Sequence, residues 1–137
     1  NDALNKYEIS IEEVDIDIYL EYFSNLGLPI SIIKKNTTII KNIKVVKPVI
    51  LLILKQLAEK DREHSIKGKK DRVDIITLLF FTDIDFSKYH KILEKNKLNL
   101  YHRLKKILNE FDDLALLNLN PREYKLKKEK VLKKLKS

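Results

Sequence analysis

The stretch Lys47-Pro48-Val49-Ile50-Leu51-Leu52-Ile53-Leu54-Lys55 is where this chain changes period, and that change sets the fold class. A proline at the first helical position is tolerated, because its missing N–H would have had no partner there. The residues from Val49 to Leu54 are the longest uncharged apolar run in the sequence. Residues apolar all round mark a helix packed on several sides, expected here to run to about Arg62 or His64.

Upstream of Pro48 the spacing is two. Ile9 and Ile11 precede Val14, Ile16, Ile18 and Leu20, and after Val14 the apolar side chains alternate strictly with Asp15, Asp17 and Tyr19. That alternation reads as a strand with one buried face. Asn25 to Pro29 reads as a turn or loop, and Ile30 to Ile33 and Thr38 to Val46 as one or two further strands or a ribbon. Downstream of Pro48 the spacing is three and four. Ser65-Ile66-Lys67-Gly68 is expected to break the first helix, with a second from about Lys70 to Phe81. Ser87 is the expected N-cap of a third, ending near Asn96. Leu100/Tyr101, Leu104, Ile107/Leu108, Phe111 and Leu114/Ala115 mark a fourth. Asn120-Pro121 starts a lysine-rich last helix whose apolar side is Tyr124, Val131, Leu132 and Leu135. The reading is α+β: short N-terminal strands, as part of a mixed sheet, then about five helices. Residues 1–81 are expected to form one unit (strands within 7–46, helices within 48–81), and 82–137 a helical extension with a basic C-terminal helix.

At 44% hydrophobic and 35% charged residues, the chain is too apolar and too patterned to be disordered. A membrane span needs roughly 20 apolar residues in a row, so no part of it is expected to cross a bilayer. The net charge is +8, and Arg122 to Ser137 holds eight Lys/Arg against two Glu. Such an excess suits an anionic partner; it also suits a lysine-rich composition with a solvated helix face. With no cysteine, disulfides and Cys-based zinc sites are excluded. His64, His90 and His102 form no metal-binding spacing. The lack of Cys, the richness in Ile, Lys and Glu and the single Gln hint at a thermophile. No signal peptide follows Asn1, so the expected location is cytoplasmic, and the chain reads as part of something longer or a trimmed product.

Three features could carry chemistry. On a strand, Asp15 and Asp17 share a face about 6–7 Å apart, and two carboxylates so placed could converge on Mg²⁺ to hold phosphates and activate a hydroxyl. The plainer reading is a wet, acidic outer face. Lys67-Gly68-Lys69-Lys70 lacks the earlier glycine and the Ser/Thr of a P-loop, yet a basic turn at a helix N-terminus attracts phosphate; alternatively it is a solvated loop. Asp71 and Asp74 are expected to face basic neighbours or to cap the helix from Lys70, a structural role rather than a metal one. Lys125, Lys127, Lys128, Lys130, Lys133 and Lys134 around Tyr124 could track a nucleic-acid backbone, or simply face water.

The run Ile43-Lys44-Val45-Val46-Lys47-Pro48, Leu51 to Lys55, Ala58, Arg62, Lys67 to Arg72, Asp74-Ile75-Ile76 and Leu78-Leu79 resembles the downstream half of nucleotidyltransferases of the DNA polymerase β superfamily. The nearest groups are the minimal nucleotidyltransferases and the AbiEii-like toxins of bacteria and archaea. There a strand leads into a Pro-acid-x-Leu-x-x-x-Lys helix, then Ala…Arg, then a basic turn with Lys-Asp-x-x-Asp-Ile-x-x-Leu. The resemblance covers about Tyr7 to Leu79. It implies an NTP and Mg²⁺, with transfer of a nucleotide to an RNA or protein acceptor. Asp15 or Asp17 would be the third catalytic carboxylate and metal ligand. Lys55, Arg62 and Lys67 would lie near phosphates or in structural pairs, and Lys69 and Lys70 beside the nucleotide or the acceptor. The departures are specific. The family's Gly-Gly or Gly-Ser turn followed by Asp-x-Asp is not found, since the glycines are Gly27 and Gly68, both beyond Asp15. Val49 stands where the family usually has an acid. These residues alone are therefore not expected to catalyse transfer, and the implied partner is a missing upstream half or an antitoxin-like protein. The rival readings are a non-catalytic basic helical module that binds nucleic acid or a partner protein, and a structural accessory domain.

Overall fold

A computed structural model describes residues 27–136 in full and the backbone of two strands at 6–11 and 14–19. Those strands, β1 (Lys6–Ile11) and β2 (Val14–Tyr19), pair antiparallel with Ile9 opposite Ile16. β2 falls where the alternation from Val14 predicts a strand.

The described fold resumes at Gly27, whose φ of +85° is a conformation that a side chain rarely adopts. A Cβ there would also lie 2.8 Å from Leu57 Cδ1. Ile30 to Ile33, read from their β-branching as a strand, are instead helical and open α1 (Ile30–Lys35). Pro29 sets the entry, its carbonyl accepting from the Ile32 and Ile33 amides at 3.0 and 3.4 Å. Ile32 and Ile33 then pack against the core, and tertiary contact overrides propensity. β3 (Thr37–Ile40) and β4 (Ile43–Val46) follow as a second antiparallel hairpin. Its turn residues Lys41 and Asn42 have φ of 49° and 65°, the left-handed pair that a two-residue hairpin needs to match strand twist. Among the described residues the strands thus form two separate antiparallel ribbons, where one mixed sheet was expected.

The rest is helical: α2 (Pro48–Asp61), α3 (Ile66–Phe81), α4 (Phe86–Lys95), α5 (Tyr101–Glu110), a 3₁₀ turn at Leu114–Leu117 and α6 (Pro121–Leu135). The class is α+β, short strands followed by helices. Three boundaries differ from the sequence reading. α3 begins at Ile66, with Ser65 as N-cap accepting from the Gly68 amide at 3.1 Å. Gly68 is therefore no breaker: it sits inside the first turn, where a Cβ would collide with the Arg62 carbonyl oxygen. The N-cap of α4 is Asp85, accepting from the Lys88 amide at 3.0 Å, two residues before Ser87. α5 stops at Glu110, because Phe111 turns extended at φ −64°, ψ 127°, and Leu114 lies in the 3₁₀ turn.

One apolar cluster joins Leu28 to residues of α2, α3, α4, α5 and α6 as far as Leu135. Ile50, Leu52 and Ile53 of α2, Ile75 and Ile76 of α3, Leu104 and Leu108 of α5 and Leu135 of α6 are its fully buried members from those helices. Each such side chain contributes about 1.5–3 kcal/mol relative to exposure. α6 is held by more than its apolar edge. Asn120 and Glu123 close a capping box at its start, the Tyr124 hydroxyl donates to the Leu108 carbonyl at 2.6 Å, and the Leu135 carbonyl sits 2.7 Å from His90 Nε2. Among the described residues no helix is long and apolar enough to cross a membrane.

Candidate functional site

The most concentrated chemistry in the described residues lies where α2, α3 and α5 meet. α2 carries Gln56 and Glu59 in phase with its buried residues Val49, Ile50, Leu52 and Ile53, so both polar side chains are delivered to the interior. Arg62 caps the helix, and α3 returns antiparallel after the short turn at 62–65. That hairpin sets Lys55 against Asp74 at 2.8 Å, Glu59 against Arg72 at 2.8 Å, and Arg62 against Asp71 through two hydrogen bonds of 2.6 and 2.8 Å. From α5, Arg103 donates to Glu59 at 2.8 Å and reaches Glu63 at 3.3 Å.

Glu59 and Asp71 are each 1% exposed, and a buried carboxylate survives only if paired and hydrogen-bonded. Each has two cations: Arg72 and Arg103 for Glu59, Arg62 and, at 3.9 Å, Lys55 for Asp71. The hydrogen bond and then the charge of Arg103 hold the Glu63 carboxyl below its ordinary range. Burial works against the charge on Arg103, but Glu59 and Glu63 outweigh it and its pKa is raised. Beside this group, Gln56 accepts from the Tyr89 hydroxyl at 2.6 Å and donates to the Leu100 carbonyl at 3.1 Å. Burial pushes the Tyr89 phenol up, against the opposing effect of the Gln56 bond.

Outside the basic end, the residues singled out from sequence divide into three groups. Lys55 and Arg62 both belong to this ion-pair group, with carboxylate partners supplied by α3. Lys67, Lys69 and Lys70 are exposed on the first turns of α3 and form no ion pair with another described residue. Asp15 and Asp17 lie two apart on β2, their Cα positions opposite Ser10 and Glu8; their side chains, and with them the expected shared face, lie outside the described residues. No cluster of three or more His, Asp or Glu that could hold a metal occurs among the described residues.

The basic end forms the second candidate region. Lys125, Lys130, Lys133 and Lys134 are exposed on α6, while Lys127 and Lys128 are half-buried at its flanks. Lys127 Nζ stands 5.0 Å from the ring centroid of Phe81, a cation–π contact. Sequence reasoning assigned no role to Phe81, Glu59, Arg72 or Arg103. For Glu59 the signal was available, since a carboxylate in the apolar phase of a helix must meet a cation from another element.

No protein-family model matches the chain, and neither does any curated protein or any solved structure.

Proposed function

We propose that this chain is part of a nucleotidyltransferase-like protein that transfers a nucleotide from an NTP, with Mg²⁺, to an RNA or protein acceptor. The observation that supports this reading is the coupling of elements over residues 43–79. β4 leads through Pro48 into α2, a short turn follows and α3 returns. Arg62 then closes on Asp71 and Lys55 on Asp74. These are residues on which the resemblance rests, and they meet as one group rather than scattering over a helix surface.

In this reading Asp15 or Asp17 supplies a carboxylate of the kind that suits Mg²⁺, which takes oxygen ligands. Lys67, Lys69 and Lys70 face the nucleotide or the acceptor, whereas Lys55 and Arg62 hold the helix pair together and do not bind phosphate. The glycine turn and the Asp-x-Asp must come from another segment of the protein or from a partner. Incubation with labelled NTPs, Mg²⁺ and bulk RNA tests this. The 137-residue chain alone is expected to leave RNA and protein unlabelled, and the product of the whole gene to label one of them. Label from the chain alone would show that other residues of it are catalytic, and none from the whole product would sink the assignment.

A second reading is favoured by α6: a basic helical module that binds nucleic acid without catalysis. Its support is that Lys127, Lys130 and Lys134 line one cavity together with aromatic residues from the end of α3.

A further inference from the structure

The groove between the end of α3 and the flank of α6 differs in kind from the rest of the basic surface. Residues three and four apart on a helix are neighbours, so Lys127, Lys130 and Lys134 form one stripe beside the buried edge of Tyr124, Val131 and Leu135. That stripe is one wall of a cavity of about 470 Å³, and Phe80, Phe81 and Asp83 contribute to the other. Phe81 is 53% exposed, although it ends a helix whose other large apolar residues mostly face inward. Its ring is not isolated: Phe80 meets it edge-on at 6.4 Å and Lys127 at 5.0 Å. Lys127 thus lies over one face of the ring, and about half of Phe81 remains open to solvent beside the groove.

A row of cations beside an exposed aromatic ring is what a single strand requires. Its phosphates take the lysines and an unpaired base stacks on the ring. A duplex can use the lysines but keeps its bases stacked internally, and an acidic peptide has charge but no flat ring for Phe81. We infer that the α3–α6 groove binds single-stranded nucleic acid, one base stacking on Phe81 and the flanking phosphates contacting Lys127, Lys130 and Lys134. This deepens the nucleic-acid-binding reading and rests on it, independently of whether the chain serves catalysis. Asp83, the carboxylate among the groove's lining residues, opposes the phosphates and weakens binding.

The chain contains no tryptophan, so Phe81→Trp places a sole tryptophan, excited selectively over the tyrosines, at the proposed stacking site. Oligo-U and oligo-dT are expected to quench it, the stronger of the two showing whether RNA or DNA is preferred. A blunt duplex and polyglutamate should leave it unchanged. Phe81→Ala should weaken oligonucleotide binding by about 5- to 150-fold, the range for losing one stacked base. Changing Lys127, Lys130 and Lys134 together to Gln should flatten the log–log salt slope by about 2, at roughly 0.7 per phosphate of a single strand. Asp83→Asn should tighten binding. Tight binding with an undiminished slope in the triple variant would overturn the groove while leaving the nucleic-acid reading standing. Absence of any oligonucleotide binding would overturn both, and equal quenching by polyglutamate would make the groove an acidic-peptide site. None of these outcomes depends on nucleotide transfer.

Discussion

Replacing Glu59 by Gln changes one charge and almost no volume at the point where three helices meet. In the parent, the two carboxylate oxygens accept separately, Oε1 from Arg103 and Oε2 from Arg72, each at 2.8 Å. Glutamine keeps one acceptor and turns an N–H₂ toward the other guanidinium, so one buried position becomes donor against donor. Removing one partner of a buried ion pair costs about 3–5 kcal/mol. The arginines here can recover part of that. Their side chains are 26% and 20% exposed, Arg72 keeps the Glu63 carbonyl at 3.0 Å, and Arg103 keeps the Glu63 carboxylate at 3.3 Å. The expected loss is therefore about 3 kcal/mol, at the lower end of that range, or a fall in Tm of roughly 10 °C for a domain of this size. Urea unfolding followed by circular dichroism measures it, with the slope against denaturant unchanged. Asp74→Asn is the control. Its pair with Lys55 is 2.8 Å long, but both side chains are well exposed, so the expected loss is under about 1 kcal/mol. If Glu59→Gln matches the parent, or Asp74→Asn costs as much as Glu59→Gln, the buried pairs do not lock the helices.

Leu135 is fully buried while Leu132 is only half-buried, so Leu135→Ala should cost about 2–5 kcal/mol and Leu132→Ala clearly less in the same urea assay. High pH should also destabilise the fold. Burial pushes the Tyr124 phenol up to about 12, against about 10 in an unfolded chain. The native state thus favours the protonated form: the stabilisation is complete below about pH 10 and is lost as pH rises toward about 12. Denaturant midpoints should fall across that window as the tyrosinate absorbance grows, and Tyr124→Phe should shrink the fall; a midpoint flat across the window would contradict the assignment.

How much of this was legible in the sequence depends on how local each signal is. Pro48 and the apolar run behind it announced α2, and the alternation from Val14 announced β2, because period is a property of neighbouring residues. Ile30 to Ile33 misled because β-branching argues for a strand until Pro29 and the core contacts of Ile32 and Ile33 decide otherwise. Gly68 misled in the opposite direction. A helix-interior glycine usually reads as a break, but here the carbonyl of Arg62 occupies the space of its missing side chain, and only the fold reveals that. Among the candidate residues, Lys55 and Arg62 were visible as cations and Asp71 and Asp74 as carboxylates with basic neighbours, but which pairs with which is set by the hairpin between the helices. Glu59 with Arg103 spans 44 positions of sequence, and Phe81 with Lys127 joins two separate helices. Pairs so distant leave no local pattern, which is why the groove came from the structure.

The central claim is that the chain serves nucleotide transfer with a carboxylate from β2. It is tested most directly by labelled-NTP incorporation with the product of the whole gene, parent against an Asp15→Asn, Asp17→Asn double variant, with Mg²⁺ and RNA present. The account predicts label on RNA or protein in the parent and none in the variant, at matched thermal stability. Equal labelling by both proteins, or none by either, would contradict it.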